Sequence, residues 1–261
     1  MVSDVSDALN VSDVSDLFGE SASAANPAAA ADSAELERLW SEPVRLFRLA
    51  NLLRERSCRS DVSFVVNRNI NFTNICIGSC RFCSFKHSKR YFLTSEQILE
   101  RTADAQRRGA TEICLQGGLA PRMELEDYCA ILETIHRDFP RMHLHAYSPM
   151  EVVHMSRNSR VEPKECLKEL KRSGLGSMPG TAAEVLVDSV RQRICPDKLK
   201  TDEWREIIKT AHRLGIPSTS TLLYGHVESL QDRLQHLRIL RDIQAETGGF
   251  TELVLLPFIP E

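Results

Sequence analysis

Two hydrophobic periods alternate along the chain. Leu36, Leu39, Trp40, Val44, Phe47, Leu49, Leu52 and Leu53 recur at helical spacing with charged residues between them, which predicts one or two helices ending near Cys58. Beyond that point, after a β-rich approach at 63–66, β-rich runs and amphipathic stretches take turns. Strands are predicted at 70–75, Glu112–Gln116, 142–147, 175–178, 217–223 and 251–256. Helices are predicted at 95–108, 124–139, Pro163–Arg172, 202–214 and 231–247, with Thr94 or Ser95 as an N-cap and Gly109, Gly174 and Gly215 as stops. Repeated strand–helix units imply a parallel sheet with right-handed crossovers.

Each predicted strand is followed by a loop of functional look: CIGSC, GGLAP, SPMEV, PGTAAE, YGH and PFIPE. Active sites of β/α barrels gather at that strand end, and no G-x-G-x-x-G follows the first strand. The expected fold class is therefore α/β, a (β/α) barrel of TIM type; with the sequence stopping at Glu261 just after the sixth strand, the expectation is either an open six-strand barrel or a barrel truncated after that strand. Three regions are expected: a disordered low-complexity arm over 1–33, an N-terminal helical segment over 34–60, and the partial barrel over 61–261.

The arm reading rests on composition. VSDVSD occurs at 2–7 and again at 11–16, and an Ala/Ser-rich stretch follows; such a segment buries too little apolar surface to offset its chain entropy. No Lys or Arg precedes Arg38, which speaks against a secretory or transit peptide, so a cytoplasmic location is expected. The net charge of −3 gives no sign of a nucleic-acid or membrane partner, and no apolar run reaches membrane-spanning length.

Cysteine placement sharpens the picture. Of eight cysteines, Cys76, Cys80 and Cys83 form C-x3-C-x2-C, whereas Cys58, Cys114, Cys129, Cys166 and Cys195 are scattered and read as small buried hydrophobes. Three closely spaced thiolates suit three irons of a [4Fe–4S] cubane and leave the fourth iron open for an exchangeable ligand. In radical S-adenosylmethionine (SAM) enzymes that ligand is the amino and carboxylate group of SAM. A zinc knuckle is the competing reading, but it needs a fourth ligand, and His87 is the sole candidate nearby.

Further candidates sit at the other strand ends. Gln116, Gly117 and Gly118 offer backbone groups to a ligand's polar end. Glu151 and Glu184 can meet an ammonium, a ribose hydroxyl or a proton in transit, and Thr181 with Glu184 also matches a helix capping box. Tyr224 and His226 follow the fifth strand. His143 and His145, two apart on the third strand, share a face; His145 is read as leaning to the site and His143 as open between site and core.

The run INFTNICIGSCRFCSF at 70–85, followed in order by LQGGLAP, HLHAYSPMEV, PGTAAEVL, TSTLLYGH and TGGFTELVLLPF, resembles the radical SAM superfamily and, within it, the CofH-type subunit of FO synthase. The resemblance implies cluster ligation by Cys76, Cys80 and Cys83. It places SAM beside Phe82, Gln116, Gly117, Gly118 and Glu151, and pocket roles at Glu184, Tyr224 and His226. It also implies transfer of the 4-hydroxybenzyl group of L-tyrosine to 5-amino-6-(D-ribitylamino)uracil, a reductant such as ferredoxin or flavodoxin, and a CofG-type radical SAM subunit. Aminofutalosine synthase and dehypoxanthine futalosine cyclase share the cluster run and are the alternative enzymes; a truncated, non-catalytic cluster-binding partner is the alternative of another class. Ser84 stands where the relatives usually have Ala, and the relatives continue beyond Phe258.

Overall fold

The computed structural model describes residues 38–259, so the arm expected at 1–33 lies outside the described residues, as does the side chain of His87. The chain separates into two units, one ending at Phe64 and one beginning at Val65. In the first, helix α1 (Pro43–Cys58) starts with a proline in its first turn, where no backbone donor is needed. Leu39 and Leu49 are buried there, with Leu46, Leu52 and Leu53 packed against them.

The second unit runs β1 (Asn67–Asn71), α2 (Ser95–Arg107), β2 (Glu112–Gln116), α3 (Leu125–Asp138), β3 (His143–Ala146), α4 (Pro149–Ser159), α5 (Pro163–Arg172), α6 (Asp188–Ile194), α7 (Thr201–Arg213), β4 (Ser218–Tyr224), α8 (Leu230–Thr247) and β5 (Phe250–Pro257). β1, β2 and β3 pair in parallel, as do β4 and β5. The strand predicted at 175–178 is reduced to two single parallel bridges, His145 to Ser177 and Met178 to Ser218. Those bridges link the two sheets into one parallel series in chain order, the wall of a partial barrel. Ile70, Ile113, Leu115, Leu144 and Ala146 fill its core side.

Three expectations need correction. The first strand lies at Asn67–Asn71 rather than 70–75, because Thr73 and Asn74 leave the ladder to bind another segment. Thr73 Oγ1 donates to the Tyr91 carbonyl at 2.8 Å, and the Asn74 side chain bonds Lys89 O at 2.9 Å and Tyr91 N at 2.8 Å. The SPMEV segment is not a loop but the start of α4: Ser148 and Glu151 form a capping box with Pro149 in the first turn. Finally, α6 was not anticipated; no capping box announces it.

Beneath the strand ends, Phe72, Tyr128 and Tyr147 make a ring cluster with edge-to-face centroid distances of 6.0, 6.2 and 5.1 Å. It packs against Gly117, whose added Cβ would lie 2.4 Å from the Phe72 ring. Among the described residues no helix is long and apolar enough to cross a membrane.

Candidate functional site

The cysteine loop begins just after β1 and is pinned at several points. Gly118 N donates to Thr73 O at 2.8 Å, Ile77 N to Leu119 O at 3.1 Å, and Arg81 N to Ile194 O at 2.9 Å. Ser79 Oγ donates to the Asp197 carboxylate. Together with the Thr73 and Asn74 clamps on Tyr91 and Lys89, these bonds close the loop at both ends and hold its middle against the turn after β2 and the end of α6.

Close packing enforces this contact. A Cβ on Gly118 would lie 2.4 Å from Ile75 O and 2.9 Å from Cys76 Cβ, and one on Gly117 would lie 2.4 Å from the Phe72 ring. Only glycine fits at either place without a shift of the loop or of the ring cluster. The paired glycines after β2 thus serve first to seat the cysteine loop.

Cys76, Cys80 and Cys83 line a cavity of about 590 Å³ together with Phe82, Gln116, Gly117, Gly118, Glu151 and Glu184. Glu151 also lines it, and its carboxylate accepts from Gly117 N at 3.1 Å, Ser148 N at 2.7 Å and Ser148 Oγ at 2.8 Å. Burial pushes this carboxyl up to about 7, against the pull of those donors toward the charged form. Glu151 therefore ties β2 to α4 and borders the cavity as a proton-holding group near neutrality.

The cavity lining also carries an ion pair. Lys198 Nζ lies 2.5 Å from Glu184 Oε1 and 5.3 Å over the Phe82 ring centroid. Burial works against the Lys198 charge, but Glu184 and Cys80 more than offset it and hold the ammonium protonated above the usual lysine range. Burial likewise raises the Cys80 thiol, while Lys198 pulls it back down.

The turn that presents Glu184 is strained. Ala182 and Glu184 sit at φ of 66° and 46°, and Tyr147, after β3, at 58°. Left-handed backbone costs a non-glycine residue about 1–2 kcal/mol, and such strain collects where surrounding structure over-determines it. Here the buried Arg191 guanidinium does so, donating to the carbonyls of Ala182 (3.0 Å), Ala183 and Leu199 (2.8 Å). This overturns the capping-box expectation for Thr181 and Glu184: no helix starts there. Instead, Thr181 Oγ1, on the cavity wall, is buried with no protein partner.

The structure gathers the candidates unevenly. The three cysteines, Phe82, Gln116, Gly117, Gly118, Glu151 and Glu184 meet in one cavity, whereas Tyr224 and His226 are not among its lining residues. The loop after β4 is tied down by the Glu228 carboxylate, which accepts from Gly225 N at 2.6 Å and His226 N at 2.9 Å. Tyr224 then faces Arg233 at 5.7 Å, and the His226 ring lies 4.1 Å from that of Phe258. His143 and His145 do share a face, but both bond Ser177 Oγ, at 2.7 and 2.6 Å. Buried His145 is driven down to about 4 and stays neutral, so the core reading replaces the site reading. Sequence reasoning missed Lys198 and Arg191, which act through partners 8 to 14 residues away across an irregular turn; no local pattern marks them.

Among the described residues no three His, Cys, Asp or Glu side chains converge as ligands of a single ion do. A cubane, with a separate iron for each thiolate, asks for wider spacing. The donor set fits one: three thiols on one wrapped loop, Gly78 N donating to Cys76 Sγ at 3.3 Å, and an adjoining cavity with an orphaned hydroxyl. N–H to sulfur bonds of this kind stabilise thiolate ligands.

Comparison with known proteins agrees. The chain is 53% identical over 225 residues to the 5-amino-6-(D-ribitylamino)uracil–L-tyrosine 4-hydroxyphenyl transferase 1 of Methanosarcina acetivorans, covering 86% of this chain and 60% of that one. It is 52% identical to the corresponding transferase of Archaeoglobus fulgidus, covering 86% and 65%. The chain thus spans about three fifths of the length of these curated relatives. Among solved structures it resembles methylornithine synthase (PylB), with a TM-score of 0.64 and 16% identity over 97% of this chain and 65% of that one. It also resembles the [FeFe]-hydrogenase maturase HydG, with a TM-score of 0.65 and 16% identity over 83% and 47%. Both likenesses are of fold. The profile of the radical SAM superfamily matches residues 70–240, from β1 into α8, and the chain belongs to that superfamily, whose members bind a [4Fe–4S] cluster and SAM.

Proposed function

We propose that this chain is the radical SAM transferase that joins the 4-hydroxybenzyl group of L-tyrosine to 5-amino-6-(D-ribitylamino)uracil in deazaflavin (FO) cofactor biosynthesis. The observation that carries the reading is the convergence of C-x3-C-x2-C, the paired glycines, Glu151 and the Lys198–Glu184 pair on one cavity, in a chain about half identical to curated transferases of that name.

In this reading Cys76, Cys80 and Cys83 hold the cluster, and SAM lies along Phe82, Gln116, Gly117 and Gly118. When bound there, cluster and SAM supply a 5′-deoxyadenosyl radical that takes hydrogen from the amino-acid substrate. The chain's own residues bind, orient and manage protons. Lys198 offers an ammonium to a carboxylate, and Glu184, its partner, offers a carboxylate to an amine or hydroxyl. Both stand beside Cys80, so an amino acid held by this pair lies next to the cluster loop. Glu151, with a pKa of about 7, holds or accepts a proton at its carboxyl without a large energetic penalty near neutral pH. Tyr224 and His226 have no role assigned within the cavity.

The same reading carries a one-electron reductant, a CofG-type radical SAM subunit acting on the product, and a cytoplasmic setting. The test is mass spectrometry after anaerobic reconstitution with SAM, reductant, tyrosine and the diaminouracil, against parallel incubations with futalosine-pathway substrates. The coupled 4-hydroxybenzyl product with stoichiometric 5′-deoxyadenosine is expected. Product from a futalosine-pathway substrate instead, or SAM cleavage with no coupled product, would overturn the assignment.

A further inference from the structure

The segment from Ile194 to Lys198 meets the cysteine loop at Ser79, Arg81 and Phe82. Ser79 Oγ donates to the Asp197 carboxylate, Arg81 N donates to Ile194 O at 2.9 Å, and Lys198 Nζ stands 5.3 Å over the Phe82 ring centroid. Cys80 lies between the first two of these contacts in sequence. Ile194 and Cys195 are buried, and Cys80 and Phe82 pack against the same apolar cluster. Of the three cluster cysteines, Cys76 is exposed, whereas Cys80 is half-buried beside this segment.

The segment has little slack. Cys195-Pro196-Asp197-Lys198 is a turn closed by Lys198 N donating to Cys195 O at 3.0 Å, with proline at its second position, where a fixed φ favours a turn. Arg191 holds both sides of it: its carbonyl accepts from Cys195 N at 2.8 Å, and its Nε donates to Leu199 O at 2.8 Å. The same guanidinium holds the carbonyls of Ala182 and Ala183, in the turn that presents Glu184. One buried side chain thus sets both members of the Lys198–Glu184 pair, and the residue next to Lys198 is the one that holds Ser79. Asp197 and Lys198 both line the inner cavity.

We infer that Asp197 is a positioning residue: through Ser79 it sets the Cys80 thiolate, and through the turn it shares with Lys198 it links that setting to the occupant of the Lys198–Glu184 pair. The inference rests on the reading that the three thiols hold a cluster and that the pair receives the amino-acid substrate. Asp197 exchanges no bond or proton with either; it acts through Ser79. A carboxylate that draws Lys198 from Glu184 pulls on a turn held on both sides, so the displacement passes to Asp197 and from there to the residue before Cys80. Binding at the pair and binding at the open corner of the cluster are then linked, and such linkage is reciprocal: the amino acid changes the affinity for SAM by the factor by which SAM changes the affinity for the amino acid.

The test compares the unsubstituted chain with Asp197→Ala, Ser79→Ala, their double variant and Asp197→Asn, all anaerobically reconstituted. Asp197→Asn keeps an oxygen that accepts from Ser79 Oγ and is the rescue. The first readout is the electron paramagnetic resonance spectrum of the reduced cluster without SAM or tyrosine. The three alanine-bearing variants should share one shifted spectrum, Asp197→Asn should keep that of the unsubstituted chain, and iron and sulfide per chain should be equal throughout. The second readout is SAM affinity with and without L-tyrosine. Tyrosine should change it by about fivefold or more in the unsubstituted chain and in Asp197→Asn. The alanine variants should lose most of that change, the double variant no more than either single one. One spectrum common to all five proteins, effects of the two alanine changes that add, or loss of iron in the alanine variants would overturn the inference. Spectra that divide as expected, with tyrosine leaving the SAM affinity of the unsubstituted chain unchanged, would instead defeat the amino-acid reading of the Lys198–Glu184 pair and leave the positioning of Cys80 standing.

Discussion

Replacing Gly118 by Ala tests the link between the paired glycines and the cysteine loop. The added methyl would sit 2.4 Å from Ile75 O, 2.8 Å from Ile75 C and 2.9 Å from Cys76 Cβ. Two of those atoms are backbone, so relief requires the start of the cysteine loop to move. That loop is held by the Gly118 N to Thr73 O and Ile77 N to Leu119 O bonds, which a shift would lengthen. Overpacking of this kind costs about 1–3 kcal/mol, and losing one of the hydrogen bonds adds about 1 kcal/mol. The expected outcome is a fall in unfolding free energy of about 2–4 kcal/mol in urea, with reduced iron and sulfide per chain. Gly225→Ala is the control. Nothing lies within 4 Å of its Cβ, and its φ of 85° makes the cost purely conformational, about 1–2 kcal/mol, with cluster content intact. If Gly118→Ala matched the unsubstituted protein in both stability and iron content, the steric account of the glycine pair would be wrong.

Three further outcomes follow from the same geometry. Glu151 binds its proton with a pKa of about 7 in the folded chain against 4.5 for the free carboxyl. Stability contributed by protonated Glu151 is therefore full below about pH 4.5 and lost as pH rises through 7, by about 3 kcal/mol. Glu151→Gln should flatten that part of the urea stability–pH profile, and an unchanged slope would refute the assignment. Lys198→Met leaves the Glu184 carboxylate buried without its partner and should cost about 3 kcal/mol or more. The double variant with Glu184→Gln should recover part of this loss, and strict additivity of the two changes in a double-mutant cycle would refute the coupling. Arg191→Lys keeps the charge but cannot span three carbonyls. It should release the strained Ala182–Glu184 turn and lower stability by about 2 kcal/mol; full retention of stability would show that the fork does not hold the turn.

The sequence made the parallel α/β architecture legible because buried strands and amphipathic helices leave distinct periods; β2 and α5 fall at the expected bounds. The cysteine motif and glycine pair were equally plain, since their chemistry is local. What local pattern could not decide is shown by two matching signatures. Ser148-Pro-Met-Glu151 and Thr181-Ala-Ala-Glu184 both have the spacing of a capping box. The first caps α4. The second does not, because Lys198 takes the Glu184 carboxylate and Arg191 takes the carbonyls of Ala182 and Ala183. Both partners come from beyond the motif, and only the tertiary fold decides between the two outcomes. The displaced first strand has the same origin: Thr73 and Asn74 have good β neighbours in sequence but spend their side chains on Lys89 and Tyr91. Tyr224 and His226 have the strand-end position of site residues, yet neither lines the cavity, and Glu228 binds the backbone N–H groups of Gly225 and His226.

The central claim is that Cys76, Cys80 and Cys83 together hold a cubane cluster with one corner open. Iron and acid-labile sulfide analysis of the anaerobically reconstituted chain, beside Cys76→Ala, Cys80→Ala and Cys83→Ala, tests it directly. The account predicts about four irons and four sulfides per chain, lost in each single variant. One zinc and no sulfide, or full iron content in any of the three variants, would contradict it.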